Sequence, residues 1–353
     1  MINKFFSLFS HDIGIDLGTA NTLVYVKGRG IVVNQPSVVA LNTKTGQIVA
    51  IGNEANKMVG RTPGHIVAVR PLVDGVISDF EVTEEMLAYF IRSVHKEKIR
   101  PFARSRVVVG VPSGATDVER RAVRDAAKNA GAREVFIVEE PLAAAIGAKL
   151  PIQEPVGNMV IDIGGGTSDI VVISLGGIVV SKNLKIAGDR FNQDIINYAR
   201  DEFKLLLGER TAEDIKIAIG SARPSNNKET IEATVRGRDL MTGLPREVMV
   251  TDADVREAIS KSLNTLVSAV KEVVEGTPPE LVSDIMHRGI ILVGGGAFLR
   301  GLPEFIESEI KIPVRLAEDP LTAVVRGTGI ILEDLNALRD VLIEPEDNVS
   351  PKS

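Results

Sequence analysis

Two short apolar runs, 13–15 and 23–26, flank the glycine-bearing segment Asp16-Leu-Gly-Thr-Ala-Asn21. The same pattern returns where 159–161 and 170–174 flank Asp162-Ile-Gly-Gly-Gly-Thr-Ser-Asp169. Strand, glycine turn, strand predicts a β-hairpin at both places. Further apolar runs predict strands over 31–41, 48–51 and 67–69, and a buried strand over 106–111. Met86, Leu87, Phe90, Ile91 and Val94 recur at helical spacing, which predicts a helix over 83–98. Thr116 and Glu119 form the capping box of a helix running to about residue 130, where Gly131 stops it. A strand over 136–139 leads into an alanine-rich helix opened by Pro141.

The second half repeats this order after a linker at 151–155. A strand is predicted over 181–186, a helix from 187–191, another over 209–220, strands over 234–239 and 247–251, and a long helix over 252–275. A strand at 289–293 then runs into a third turn, 294–297, and a helix from 302. Strands followed by alternating strand and helix, twice over, predict a duplicated α/β architecture with a cleft between the halves.

The hairpin turns carry the chemistry. Glycines let successive backbone N–H groups converge on an anion. Asp16 and Asp162 fall at strand ends, where a phosphate-bound Mg²⁺ could be held by one or two carboxylates and its own waters. Either turn alone reads more readily as a plain turn. The same acidic residue at the same strand end twice points to one nucleoside triphosphate gripped by two related domains.

Composition narrows the class. The 353 residues allow about two domains. Aromatic residues are only 4% with no Trp, so the core falls to Ile, Val, Leu and Ala, as suits α/β layers. A net charge of −6 argues against a general nucleic-acid binder. The absence of Cys excludes disulfides, thiolate catalysis and Cys-ligated zinc. His11, His65, His95 and His287 have no metal-ligand spacing. No apolar run approaches the ~18 residues of a membrane span, and no signal-peptide pattern opens the chain. A cytoplasmic location is expected.

With the Glu140-Pro-Leu-Ala-Ala-Ala145 helix start and the glycine turn at 294–297, the two hairpins resemble the actin/Hsp70/sugar-kinase superfamily. Within it, Ile13-Gly-Ile-Asp-Leu-Gly-Thr-Ala-Asn-Thr22, Val138-Glu-Glu-Pro-Leu-Ala-Ala-Ala145 and Gly208-Glu-Arg-Thr-Ala-Glu-Asp-Ile-Lys216 look like the MreB family of bacterial actin homologues. The resemblance spans residues 12 to about 338. It implies an actin-like fold of two ribonuclease-H-like lobes around a nucleotide cleft. Lobe I would be 1–150, with a small subdomain inserted near 32–70 and residues 335–345 packing back on it. Lobe II would be 151–334, with an insertion near 187–251.

The resemblance also implies residue roles. Gly18, Thr19, Ala20 and Asn21 would wrap the β- and γ-phosphates of ATP, and Gly164, Gly165, Gly166 and Thr167 the other side. Asp16 and Asp162 would orient Mg²⁺, mainly through waters. Glu213, Lys216 and Gly294, Gly295, Gly296 and Ala297 would line the nucleoside pocket, with Gly188 and Asp189 near the ribose. Hydrolysis needs a group that places a water in line with the γ-phosphate. Glu140 is the candidate, supported by Thr167, with Glu139 the rival; the bland alternative is that Glu140 merely favours its helix N-terminus.

Two segments are candidates for a membrane surface. Ile2, Phe5, Phe6 and Phe9 share one helical face beside Lys4. Ile99 and Phe102 sit among Lys96, Lys98, Arg100, Arg104 and Arg106. A fraying tail and a set of cations at a helix C-terminus are the plain alternatives. The family implies nucleotide-dependent filaments, in pairs, on the inner face of the cytoplasmic membrane, slow ATP hydrolysis, and partners among cell-wall elongation membrane proteins that together maintain rod shape. A small-molecule kinase and a chaperone-like ATPase are the rivals. No second acidic motif marks a kinase base, and the acidic tail after 338 leaves no room for a peptide-binding domain.

Overall fold

The computed structural model describes residues 12–95, 105–224 and 230–343. Two compact units divide them. The first takes the chain up to Val156, returns for Ile173–Val179 and resumes at Leu321; the second takes Gly157–Val172 and Val180–Pro320.

The first unit is built on a six-stranded sheet in the order Leu342–Ile343, Glu134–Glu139, Arg106–Val111, Ile13–Leu17, Asn21–Val26, Gly30–Pro36. Ile13–Leu17 pairs parallel to Arg106–Val111 and antiparallel to Asn21–Val26. Val107, Val108 and Val109 are fully buried, which is why this run is apolar without alternation. The helices Phe80–His95 and Asp117–Asn129 pack against each other and supply the core with Met86, Leu87, Phe90, Val123 and Ala126. Thr116 and Glu119 form the expected capping box. The helix Phe80–His95 starts earlier than its periodicity predicts, because Asp79 Oδ1 accepts the Val82 N–H at 3.1 Å.

The predicted strand over 31–41 is two strands, Gly30–Pro36 and Val39–Asn42. The chain turns at Ser37 and enters a separate three-stranded sheet, ordered Ile48–Ile51, Val39–Asn42, Ile66–Val69, with its own small core of Val38, Ala40 and Ala55. The helix Ala323–Glu333, expected with the second lobe, belongs to the first unit and packs on Glu140–Gly147. Its position rests on close backbone approach. A Cβ added at Gly327 would stand 1.8 Å from Ala143 O, and one at Gly147 1.9 Å from Ala323 O.

The second unit repeats the central plan. Its five-stranded sheet runs Gly177–Leu184, Ser168–Ser174, Asn158–Ile163, Ile290–Val293, Val314–Leu316. In each unit the hairpin's first strand carries its partner on one side and two parallel strands on the other. The helices Gly188–Glu202, Glu209–Ile219 and Asp252–Glu275 cover a core that includes Phe191, Ile215, Ile259 and Leu266. Thr251 and Asp254 cap the last of these. Leu205–Leu206, Glu232–Asp239 and Pro245–Thr251 form an inserted three-stranded sheet. Pro279 opens a further helix, Pro279–Arg288, since proline suits a first helical turn.

Candidate functional site

In the first unit, Asp16 lies at the end of Ile13–Leu17, half-buried, opposite Leu23 in the hairpin and opposite Gly110 in the parallel ladder. Burial pushes its carboxyl up to about 7, the mark of a charge that lacks local compensation. Gly18, Thr19 and Ala20 make the turn, and Asn21 opens the next strand. Side chains hold this turn from outside. Thr19 is buried, and its Oγ1 accepts the Gly75 N–H at 3.0 Å. The Ser37 N–H donates to Ala20 O at 3.0 Å and Ser37 Oγ to Gly18 O at 2.6 Å.

Glu140 opens the helix Glu140–Gly147, and its stem lies over Gly110. A Cβ there would be 3.1 Å from Glu140 Cγ and 3.2 Å from Val324 Cγ1. Glu140 thus stands over the residue that pairs with Asp16. Glu139 faces Arg120, at 3.4 Å from Nη2. That ion pair ties Glu139 to the helix Asp117–Asn129.

In the second unit, Asp162 is buried at the end of Asn158–Ile163. The turn 164–167 closes on itself through Gly164 N–H to Thr167 O at 2.9 Å, and Thr167 is buried. Backbone holds this turn. The first helical N–H groups of Gly188–Glu202, those of Gly188 and Asp189, donate to Gly164 O at 3.2 Å and Gly165 O at 2.8 Å. Lys216 Nζ donates to Gly188 O at 2.9 Å, so the helix carrying Glu213 and Lys216 reaches the same place. Gly294, Gly295, Gly296 and Ala297 follow Ile290–Val293, the neighbour of the Asp162 strand. Gly294 has φ of +82°, and a Cβ on it would stand 2.4 Å from both Asp162 Oδ1 and Ile163 O. The structure therefore gathers 162, 164–167, 188–189, 216 and 294 into one cluster. Asp169 is separate: Asn183 Nδ2 donates to its Oδ1 at 3.0 Å, a structural bond.

Among the described residues no group of three or more His, Cys, Asp or Glu is arranged as a metal cage. A Mg²⁺ that arrives with phosphate and keeps its waters needs only one or two carboxylates, and the raised pKa of Asp16 suits a cation beside it. Ile2, Phe5, Phe6, Phe9, Ile99 and Phe102 lie outside the described residues. Sequence reasoning missed Ser37, Gly75 and Gly110. Ser37 interrupts an apolar run at Pro36-Ser37, the one local signal that pointed to it.

Comparison with known proteins bears on the fold and the family. The MreB5 protein of Spiroplasma citri bound to ADP matches with a TM-score of 0.87 at 40% identity, over 93% of this chain and 97% of that one. A MamK double helical filament matches at 0.78 and 23% identity, over 92% and 99%, a likeness of fold alone. The fold is actin-like. A family model described as MreB/Mbl protein matches residues 10–340. The cell shape-determining protein MreB of Escherichia coli K12 is 54% identical over 94% of this chain and 96% of its own length. Mbl of Bacillus subtilis 168 is 51% identical over 94% and 98%. The chain belongs to the MreB/Mbl family.

Proposed function

We propose that this chain is a nucleotide-dependent, membrane-associated cytoskeletal protein that polymerises, binds and slowly hydrolyses ATP, and organises cell-wall synthesis to maintain rod shape. One observation carries the reading: an acidic strand end and a glycine turn stand at the same place in two sheets of the same strand order. Relatives named cell shape-determining proteins, and MreB5 structures bound to ADP and to AMPPNP, support it.

Backbone N–H groups of 18–21 and 165–167 bind the phosphates, while the Gly164 N–H shapes the second turn through Thr167 O. Asp16 and Asp162 would hold Mg²⁺, which neutralises phosphate charge. Glu140 accepts a hydrogen bond from the attacking water and aims it, with Thr167 in support. Placement and charge stabilisation are what phosphoryl transfer demands. Glu213, Lys216, Gly188, Asp189 and 294–297 serve the nucleoside end.

Membrane attachment falls to Ile2, Phe5, Phe6 and Phe9 and to Ile99 and Phe102. The strands that follow these segments in sequence, Ile13–Leu17 and Arg106–Val111, are neighbours, with Asp12 Oδ2 and Arg106 Nη2 paired at 2.5 Å. Among the described residues no helix is long and apolar enough to cross a membrane. The protein would then be peripheral on the inner membrane, with itself and wall-elongation membrane proteins as partners.

Electron microscopy of the purified protein on anionic liposomes, with Mg-ATP and without nucleotide, tests this. Membrane-bound filaments that require nucleotide are expected. Monodisperse protein hydrolysing ATP under every condition would favour a kinase. Liposome co-sedimentation of a variant lacking residues 2–9 tests the anchor, and undiminished binding would move that role to Ile99 and Phe102.

A further inference from the structure

Ser37 makes more contacts to the first phosphate turn than any feature of the sequence foretells. It is fully buried, at the point where the chain leaves Gly30–Pro36 for Val39–Asn42. Its hydroxyl donates to Gly18 O at 2.6 Å, and its N–H donates to Ala20 O at 3.0 Å. Thr22 Oγ1 lies 2.9 Å from Ser37 Oγ, and Thr22 is also fully buried. A hydroxyl has one proton. Since that of Ser37 goes to Gly18 O, Thr22 is the donor in this pair, and the order is Thr22 to Ser37 to Gly18.

Peptide geometry turns these bonds into an orienting device. In a planar trans peptide the C=O and the following N–H point in opposite directions. Drawing the carbonyls of Gly18 and Ala20 toward Ser37 therefore points the N–H groups of Thr19 and Asn21 away from it. Left to itself, a glycine turn could rotate either peptide and present a carbonyl where an anion must bind. We infer that Ser37 is a positioning residue for the nucleotide: it fixes the peptide orientation of the 18–20 turn so that N–H groups face the terminal phosphates. The inference rests on the ATP reading above. Ser37 itself touches no phosphate in this account.

The test is equilibrium binding of Mg-ATP and of AMP to the full chain, comparing wild type, Ser37→Ala and Thr22→Val. Thermal midpoints without nucleotide are measured alongside. Positioning predicts that Ser37→Ala weakens ATP about ten-fold while AMP affinity changes less than two-fold, since one lost hydrogen bond to an orienting group is worth roughly that factor. Thr22→Val, which keeps side-chain shape and removes only the upstream donor, should weaken ATP by about three-fold in the same selective way. ATP affinity within two-fold of wild type in both variants overturns the inference. So does an equal loss for ATP and AMP, which would mark a structural residue only. If Ser37→Ala does not fold, the selectivity of Thr22→Val decides alone. A wild-type chain that binds no ATP overturns the nucleotide reading itself, and this inference with it.

Discussion

The two glycine turns occupy equivalent places and are held in opposite ways. In the first unit, the 18–20 turn is gripped by side chains and amides from distant segments, through Ser37 on Gly18 and Ala20 and through Gly75 on Thr19. In the second, the 164–167 turn is backed by a helix terminus, with Gly188 and Asp189 N–H on its carbonyls, and Gly294 passes close to Asp162 and Ile163 just before it. Hydroxyls support the first turn, whereas the second has backbone support and, beside it, a glycine at 294 that no Cβ could replace. Their sensitivities should therefore differ: deleting hydroxyls harms the first, and adding carbon at Gly294 harms the second.

The largest effect belongs to Gly294→Ala. The new methyl meets Asp162 Oδ1 and Ile163 O at 2.4 Å on a backbone with φ of +82°. We expect a loss of at least ~2 kcal/mol of unfolding free energy, read by denaturant titration, together with weaker ATP binding. Thr19→Val comes next. It leaves the Gly75 N–H without its acceptor and should cost about 1–2 kcal/mol in the same titration. Gly188→Ala should be smaller, within about 0.5 kcal/mol. Its Cβ would lie 3.4 Å from Gly164 O and from Lys216 Nζ, the latter the end of a flexible side chain. A Gly188→Ala loss as large as that of Gly294→Ala would break the comparison.

A fourth case sharpens it, because side-chain latching also occurs in the second unit, away from the phosphate cluster. Asp239 accepts N–H bonds from Met241 and Thr242 and pairs with Arg246 Nη1 at 2.9 Å. Backbone donation from Thr242 and the Arg246 charge hold its carboxyl down at about 2. The ionised form is the one bound, so its contribution is present above the ordinary carboxylate value near 4 and is lost as pH falls through about 2. In acid titration followed by circular dichroism, Asp239→Asn should erase part of the stability difference between pH 5 and pH 2. A variant whose pH profile matches wild type would show the latch to be inert.

Much of this was legible in sequence because it is local. The hairpins, the capping box at Thr116 and Glu119 and the helix Asp252–Glu275 each depend on residues a few positions apart. The candidate site was legible to the extent of its motifs: the structure groups Asp162, Gly164, Gly188, Lys216 and Gly294 as one cluster. What escaped is long-range. Ser37 reads only as part of a polar break between apolar stretches until the fold puts it against Gly18. The helix Ala323–Glu333 returns to the first unit through Gly147 and Gly327, a contact visible only once both backbones are placed. The neighbours of Glu139 and Glu140, Arg120 and Gly110, were likewise out of reach of the sequence, since neither is near them along the chain.

The most direct test of the account measures ATP binding and phosphate release side by side for wild type and Glu140→Ala. The account predicts wild-type protein that binds Mg-ATP and releases phosphate slowly. In the variant, binding should stay within about three-fold while release falls by roughly 100-fold or more, the range of a positioned water-activating group. Unchanged phosphate release in Glu140→Ala would contradict the assignment, and a wild-type chain that binds no nucleotide would contradict the account as a whole.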